Sequence, residues 1–364
     1  MFKFIYIILL FNPVLGFSIP CRKISQIATV GPACNSYGQL KEMHECGVNT
    51  FRINMGHCKS TEEFMYTYDN IKSLKSNYND VKMLIDLQGP KFRIGTFKKG
   101  CAILKEDSIF ILDKIPRESY KYRVYLPHDE IYYSVSEKDK IYLDDGNIEL
   151  EVMKVLEENR IITRVKKGGV LKNNKGLNLP YKNVNFNTIT PKDAIDIALV
   201  NHLGDVDYIA LSFVQEKKDI QLLRSLLMNK QINVIAKIET PMAVDNLESI
   251  IEESDGILIA RGDLGIEMGL EHVPFIQKLA IKFSNKSDKE VIVATQLLET
   301  MISNQLPTRA EVSDNVNAIL DGATGLMLSA ETSIGKYPLK AVKMQRKLID
   351  VSLEYINEIE KIDD

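Results

Sequence analysis

The chain has 364 residues, a length that suits one large domain with an insert or two to three small domains, and its 45% hydrophobic and 26% charged content suits a soluble globular protein. A net charge of −3 gives no electrostatic case for nucleic acid or an anionic membrane as the main partner. Cys21, Cys34, Cys46, Cys58 and Cys101 stand singly, without a CxxC pair, which argues against a zinc site or a disulfide framework and for small, mostly buried thiols.

The N-terminus opens Met1-Phe2-Lys3, runs apolar over 4–11 and breaks at Asn12-Pro13. This reads as a signal-like leader over 1–20, too short to span a bilayer; a retained apolar helix is the alternative. From residue 21 onward, short β-branched runs alternate with amphipathic stretches. The runs are 25–30, 50–55, 81–87, 208–214, 233–239, 256–262, 291–296 and 325–331. Helical spacing appears at 37–46, 62–75, 217–229, 244–253, 275–284 and 338–359. Such alternation implies parallel β/α units, and these runs match the strand number of a TIM (β/α)8 barrel, an α/β fold. Between 97 and 187 the helical pattern vanishes and short strand-like pieces appear, separated by turns such as Asp145-Gly146. The expected organisation is a barrel from 21–96 and 188–364, with an all-β lid domain at 97–187 inserted after strand three.

In such a barrel the reacting groups come from the C-terminal ends of strands. Strand two ends Arg52-Ile53-Asn54, and alternation puts Arg52 and Asn54 on one face. Arg52 suits a phosphate or carboxylate, or a structural acid. Strand three ends with Asp86, Leu87 and, shortly after, Lys91. Strand five carries Lys237 and Glu239 on one face; a Lys in an apolar strand implies either a functional role or a buried pair. Strand six leads into Gly262-Asp263, where Gly262 allows backbone to approach an anion. Glu239 and Asp263 together suit magnesium. Strand seven ends at Thr295, and strand eight at Ser329 and Glu331, whose spacing points both side chains at the mouth. Cations, acids and hydroxyls in this number exceed what folding needs. They imply a small, anionic, metal-bound ligand, and either phosphoryl transfer or enolate chemistry.

An ordered set of blocks adds to this. Gly31-Pro32-Ala33, Arg52-Ile53-Asn54, Asp86-Leu-Gln-Gly-Pro-Lys-Phe-Arg93 and Lys175-Gly-Leu-Asn-Leu-Pro180 come first. Ile238-Glu239, Ala260-Arg-Gly-Asp-Leu-Gly-Ile-Glu267, Ala294-Thr-Gln-Leu-Leu-Glu-Thr-Met301, Pro307-Thr-Arg-Ala-Glu311 and Ser329-Ala-Glu-Thr332 follow. Together they resemble the pyruvate kinases, from about residue 22 to about 350, insert included. The resemblance implies transfer of the phosphoenolpyruvate phosphoryl group to ADP, with magnesium, or manganese in its place. It makes Lys237, Arg52 and Thr295 catalytic. Arg52, Lys237, Gly262, Asp263, Thr295, Ser329 and Glu331 would bind substrate, and Glu239 and Asp263 the metal. The nucleotide would meet Pro32, Asn54, Met55, Gly56, His57 and Arg93, with Lys175 from the insert. The proton donor to the enolate stays open, with Thr295 and a water chain as one candidate.

Two departures from the family pattern stand out. Gly56 replaces a potassium-binding Ser and Lys91 an acid in the monovalent-cation region around Asn54, Asp86, Leu87 and Lys91, and the set Leu87, Gln88, Lys91 and Ile94 resembles the potassium-independent branch. An ammonium can fill the charge site of potassium. The chain also stops where the family's C-terminal regulatory domain would begin, so either the sequence is a fragment or that domain is expected to be absent. The family forms homotetramers; here a homodimer through the barrel is expected. The leader suggests delivery to a plastid-type organelle by the secretory route, with a cytoplasmic enzyme as the alternative. Rival readings are another magnesium-dependent enolate barrel enzyme and an inactive, pyruvate-kinase-like binding protein.

Overall fold

Aliphatic runs buried on both faces form parallel strands, because only a sheet wrapped by helices hides both sides. In the computed structural model, which describes residues 23–363 except 117–118 and 157–158, eight such strands close on themselves. They are β1 (Ser25–Thr29), β2 (Thr50–Asn54), β3 (Lys82–Asp86), β4 (Tyr208–Leu211), β5 (Asn233–Ile238), β6 (Gly256–Ala260), β7 (Glu290–Ala294) and β8 (Gly325–Leu328). Each pairs in parallel with its neighbours in chain order, and β8 closes on β1. The leader-like stretch 1–20 lies outside the described residues.

Ile27, Leu84, Tyr208, Ile235, Leu258, Ile292 and Met327 form a compact cluster contributed by alternate positions of several strands, the packed interior of the barrel. A larger apolar layer joins the strands to the surrounding helices. Two further helices, which the spacing did not single out, start on local chemistry: Thr308 and Glu311 form a capping box ahead of Arg309–Leu320, as do Thr190 and Asp193 ahead of Pro191–Leu203. The stretch 244–253 is not one helix. It is the end of Pro241–Asp245 followed by Leu247–Glu253, broken at Asn246, whose amide donates to the Gln215 carbonyl at 2.9 Å.

All eight barrel strands end before their apolar runs do, and the last three show why. β6 stops at Ala260 because helix Arg261–Met268 starts at once. β7 stops at Ala294 because Thr295 and Gln296 have φ of 70° and 55°. β8 stops at Leu328, before a short turn of helix over Ala330–Ser333. At the barrel rim ladder partners run out, and the backbone is free to turn.

Between β3 and β4 the chain forms a six-stranded sheet and a two-stranded one. Strand Ile148–Leu156 shows the alternating burial of a one-sided sheet over its first half. Phe110, Leu112, Ile141, Leu150 and Ile161 belong to a hydrophobic cluster separate from the barrel's. The stretch is not purely β: Asp129–Ser134 is helical, too short to leave a periodic signal. Of the described cysteines, all free, Cys34 is buried, Cys46 and Cys58 are partly covered and Cys101 is exposed. The expectation of mostly buried thiols fails because Cys101 lies on an exposed strand position.

Candidate active site

Arg52, at the end of β2, is 7% exposed, yet its guanidinium has no freedom to wander. Nε and Nη2 both reach Asp86 Oδ2 at 2.7 Å, and Nη1 donates to Thr29 Oγ1 at 2.9 Å. Asp86 presents its other oxygen to Lys237, whose Nζ lies 3.3 Å away. The same ammonium donates to Ser212 Oγ at 2.7 Å and stands 3.1 Å from Glu239 Oε1. Glu239 is further held by the Phe213 N–H, which donates to Oε2 at 2.8 Å. Phe213 adopts φ of 56° to do so.

These charges set one another. Burial pushes the Asp86 carboxyl up, but Lys237 and Arg52 outweigh it and the net shift is downward. Burial opposes the charge on Lys237, and Asp86 and Glu239 reverse that, raising its pKa. Glu239 is pushed up by burial, relieved in part by Lys237 and pushed further by Asp263. A buried acid with a second acid as neighbour is short of positive charge.

Asp263 sits in the first turn of Arg261–Met268. Lys91 Nζ meets its Oδ1 at 2.8 Å and stands 3.5 Å from Asp145 Oδ1, in the insert. The insert thus reaches the barrel mouth, and Lys175 is there tied to Asp144 at 2.6 Å. Arg93, exposed beside it, donates to the Asn174 carbonyl at 3.0 Å. Asn54 accepts from the Gly56 N–H at 3.0 Å, and Nδ2 lies 3.5 Å from His57 Nδ1. Pro32, Gly56 and His57 are exposed, whereas the Met55 side chain is buried, so only its backbone faces outward contacts.

Thr295 carries a left-handed backbone that a β-branched residue rarely adopts. Arg261 holds it there: Nη2 donates to the Thr295 carbonyl at 2.6 Å, while Asp314 anchors the same guanidinium at 2.7 Å. The Thr295 hydroxyl accepts from the Gly262 N–H at 2.8 Å and donates to the Ala294 carbonyl at 2.5 Å. Two donors expected to face a substrate carboxylate, the Gly262 N–H and the Thr295 hydroxyl, are therefore already engaged.

Glu331 departs most from expectation. It is fully buried rather than open at the mouth, accepting from the Leu298 N–H at 3.1 Å and the Ser329 N–H at 2.8 Å. The chain turns into helix at Ala330, which breaks the strand alternation that would have aimed it outward. Ser329 Oγ is buried with no hydrogen-bond partner. Asp86 and Lys91, grouped as a monovalent-cation region, separate: Asp86 anchors Arg52 and Lys237, and Lys91 serves Asp263. The sequence reading missed Thr29, Ser212, the Phe213 N–H and Arg261. The first two are ordinary hydroxyls at strand ends, and the third depends on a backbone angle no residue type announces.

Glu239 and Asp263 supply the carboxylates a magnesium ion needs beside substrate oxygens. Among the described residues no group of three or more His, Cys, Asp and Glu gathers at ligand spacing.

Comparisons with known proteins agree with this geometry. A family model described as the pyruvate kinase barrel domain matches residues 21–342. The chain is 41% identical over 345 residues to the pyruvate kinase of Thermotoga maritima, covering 93% of this chain and 73% of that protein. It is 39% identical over 330 residues to that of Methylorubrum extorquens, covering 90% and 68%. It is 38% identical over 331 residues to that of Mycobacterium tuberculosis, covering 90% and 70%. With a closed (β/α)8 barrel, and cations and acids interlocked at its C-terminal rim, the chain belongs to the pyruvate kinase family.

Proposed function

We propose that this chain transfers the phosphoryl group of phosphoenolpyruvate to ADP, giving pyruvate and ATP. The observation that carries this reading is the fixed position of Lys237 between Asp86, Glu239 and Ser212, with Arg52 clamped on the same Asp86. Phosphoryl transfer needs little covalent help from a protein. It needs cations already aimed where negative charge spreads over the moving group. Arg52 and Lys237 hold their orientation before substrate arrives, because each is bonded to a buried acid. The remaining guanidinium N–H groups of Arg52 suit a phosphate oxygen.

Glu239 and Asp263 would hold magnesium, Asp263 through the oxygen Lys91 does not use. Bound there, the ion supplies charge neutralisation at the substrate's oxygens. Lys91 adds a fixed positive charge at this rim: burial opposes it, Asp263 outweighs burial, and its pKa is raised. We infer that this ammonium makes potassium unnecessary. Lys175, Arg93 and His57 line the approach between insert and barrel, where the nucleotide would lie. A homodimer through the barrel is supported by Leu270 and Phe275, large apolar side chains 74% and 65% exposed near the start of helix Val273–Lys286.

The test is pyruvate formation from phosphoenolpyruvate and ADP with magnesium, with and without potassium, alongside Lys237→Met. Activity lost in the variant supports the assignment. A folded wild-type chain that forms no pyruvate in either salt overturns it.

A further inference from the structure

Outside the charged cluster, one partly buried acid has no role in the transfer described above. Glu267 lies one helical turn beyond Asp263, on Arg261–Met268. It meets the segment by which the chain returns from the insert to the barrel. Asn178 Nδ2 donates to Glu267 Oε1 at 2.8 Å, and the Tyr181 N–H donates to the Glu267 carbonyl at 2.8 Å. Asn178 belongs to the short strand Leu177–Asn178, which pairs with Lys140–Leu143 of the insert. One residue thus grips the return segment with both its side chain and its backbone.

The hydrogen bonding of this pair is incomplete. Asn178 is 3% exposed, and its Oδ1 is buried without a partner. A buried amide oxygen of this kind needs a donor. A carboxylate has none to give, whereas a carboxylic acid has one. Glu267 and Asn178 both line a cavity of about 30 Å³, together with Lys91, Lys182, Phe92 and Met242. That is room for a water to carry the proton's hydrogen bond where the two groups do not meet directly. Burial pushes the Glu267 carboxyl up to about 8, Asn178 offsets part of this and Asp263 adds to it. The charged groups facing it are Asp263 on its own helix, Lys91 from the loop after β3 and Lys182 from the return segment. Lys91 and Lys182 are engaged by Asp263 and Asp139.

We propose that Glu267, as an uncharged acid, is a positioning residue that latches the insert's return strand, through Asn178, to the helix carrying Asp263. The latch sets how the insert closes on the nucleotide, an inference that rests on the assignment of ADP as phosphoryl acceptor. Ionising Glu267 would leave Asn178 Oδ1 without a donor and place a second charge near Asp263. The latch therefore loosens as the acid loses its proton.

The experiment combines amide hydrogen exchange at Asn178 and Tyr181 with steady-state kinetics from pH 6 to 9. It uses the full chain and Glu267→Ala, Glu267→Gln and Asn178→Ala. The latch predicts that Glu267→Ala and Asn178→Ala lose exchange protection at Tyr181 while amides of β6 keep theirs. It predicts a KM for ADP raised roughly tenfold with kcat little changed, the size expected when one partly buried hydrogen bond is lost. Glu267→Gln, neutral with a donor and an acceptor, restores both readouts and removes the rise in KM that the wild type shows above about pH 8. Wild-type protection and KM in Glu267→Ala overturn the proposal, as does a pH profile unchanged in Glu267→Gln. If Glu267→Ala does not fold, Asn178→Ala decides by the same two readouts. A wild type that forms no pyruvate would sink the assignment of the reaction, and the exchange data would still decide the latch.

Discussion

Lys91 Nζ sits 2.8 Å from Asp263 Oδ1, so an ammonium from the loop after β3 neutralises an acid presented by the helix after β6. It also lies 3.5 Å from Asp145, which places one cation at the junction of the barrel, the insert and the acids proposed to hold magnesium. On the proposal that Lys91 makes potassium unnecessary, a fixed charge here would do what a bound monovalent cation does, without needing to be recruited from solution.

Lys91→Ala should therefore lower pyruvate formation measured without potassium, and added potassium should recover part of it. Wild-type rates should be the same in potassium and in a large organic cation. A wild type that needs potassium would remove this role from Lys91.

Lys237→Met should lower kcat by roughly 10²–10³, the scale for removing one preorganised charge contact. Circular dichroism should show an intact barrel. A variant with wild-type kcat would mean that Lys237 only balances Asp86 and Glu239.

Arg261 touches no expected substrate atom, yet it holds the Thr295 carbonyl and is itself held by Asp314. Arg261→Lys keeps the charge but loses the fork that fixes a strained backbone. The expected result is a kcat about tenfold lower, with thermal stability little changed, since misplacing one group at the site suffices for such a loss. Equal kcat in the variant would show that Thr295 keeps its conformation unaided.

Glu331→Ala separates a structural role from a binding one. Two backbone N–H groups, of Leu298 and Ser329, would lose their acceptor. The variant should lose about 1–3 kcal/mol of stability in urea unfolding. Its KM for phosphoenolpyruvate should match the wild type. A raised KM with unchanged stability would return Glu331 to the binding site.

Stability should also depend on pH through Glu267. Its folded-state pKa of about 8 lies above its ordinary value of 4.5, so between these limits the folded chain holds a proton that the unfolded chain has lost. Stability contributed by this group is then complete below about pH 4.5 and declines as pH rises towards 8. Glu267→Gln should flatten this part of the profile. A profile with the same slope in the variant would assign the dependence to other groups.

The barrel was legible because burial patterns are local. Runs such as 233–239 and 256–262 are apolar enough to be strands on their own account, and their alternation with helices leaves few topologies open. Lys237 and Glu239 were legible for the same reason: two residues apart on a strand, they share a face wherever the strand goes. The short helix Asp129–Ser134 was not legible, since six residues are too few for a period to show.

What the sequence by itself determined is the set of barrel strands, the residues at their C-terminal ends and the mixture of cations and acids gathered there. Only the tertiary structure decided which partner each charge takes. Lys91 could have faced several acids and meets Asp263; Glu331 could have lined the mouth and instead turns inward onto Leu298. Such choices are made between residues far apart in the chain, by closure of the barrel and by backbone angles like those of Phe213 and Thr295. Hydrophobic periodicity carries no information about either, because it records only which side of an element is buried.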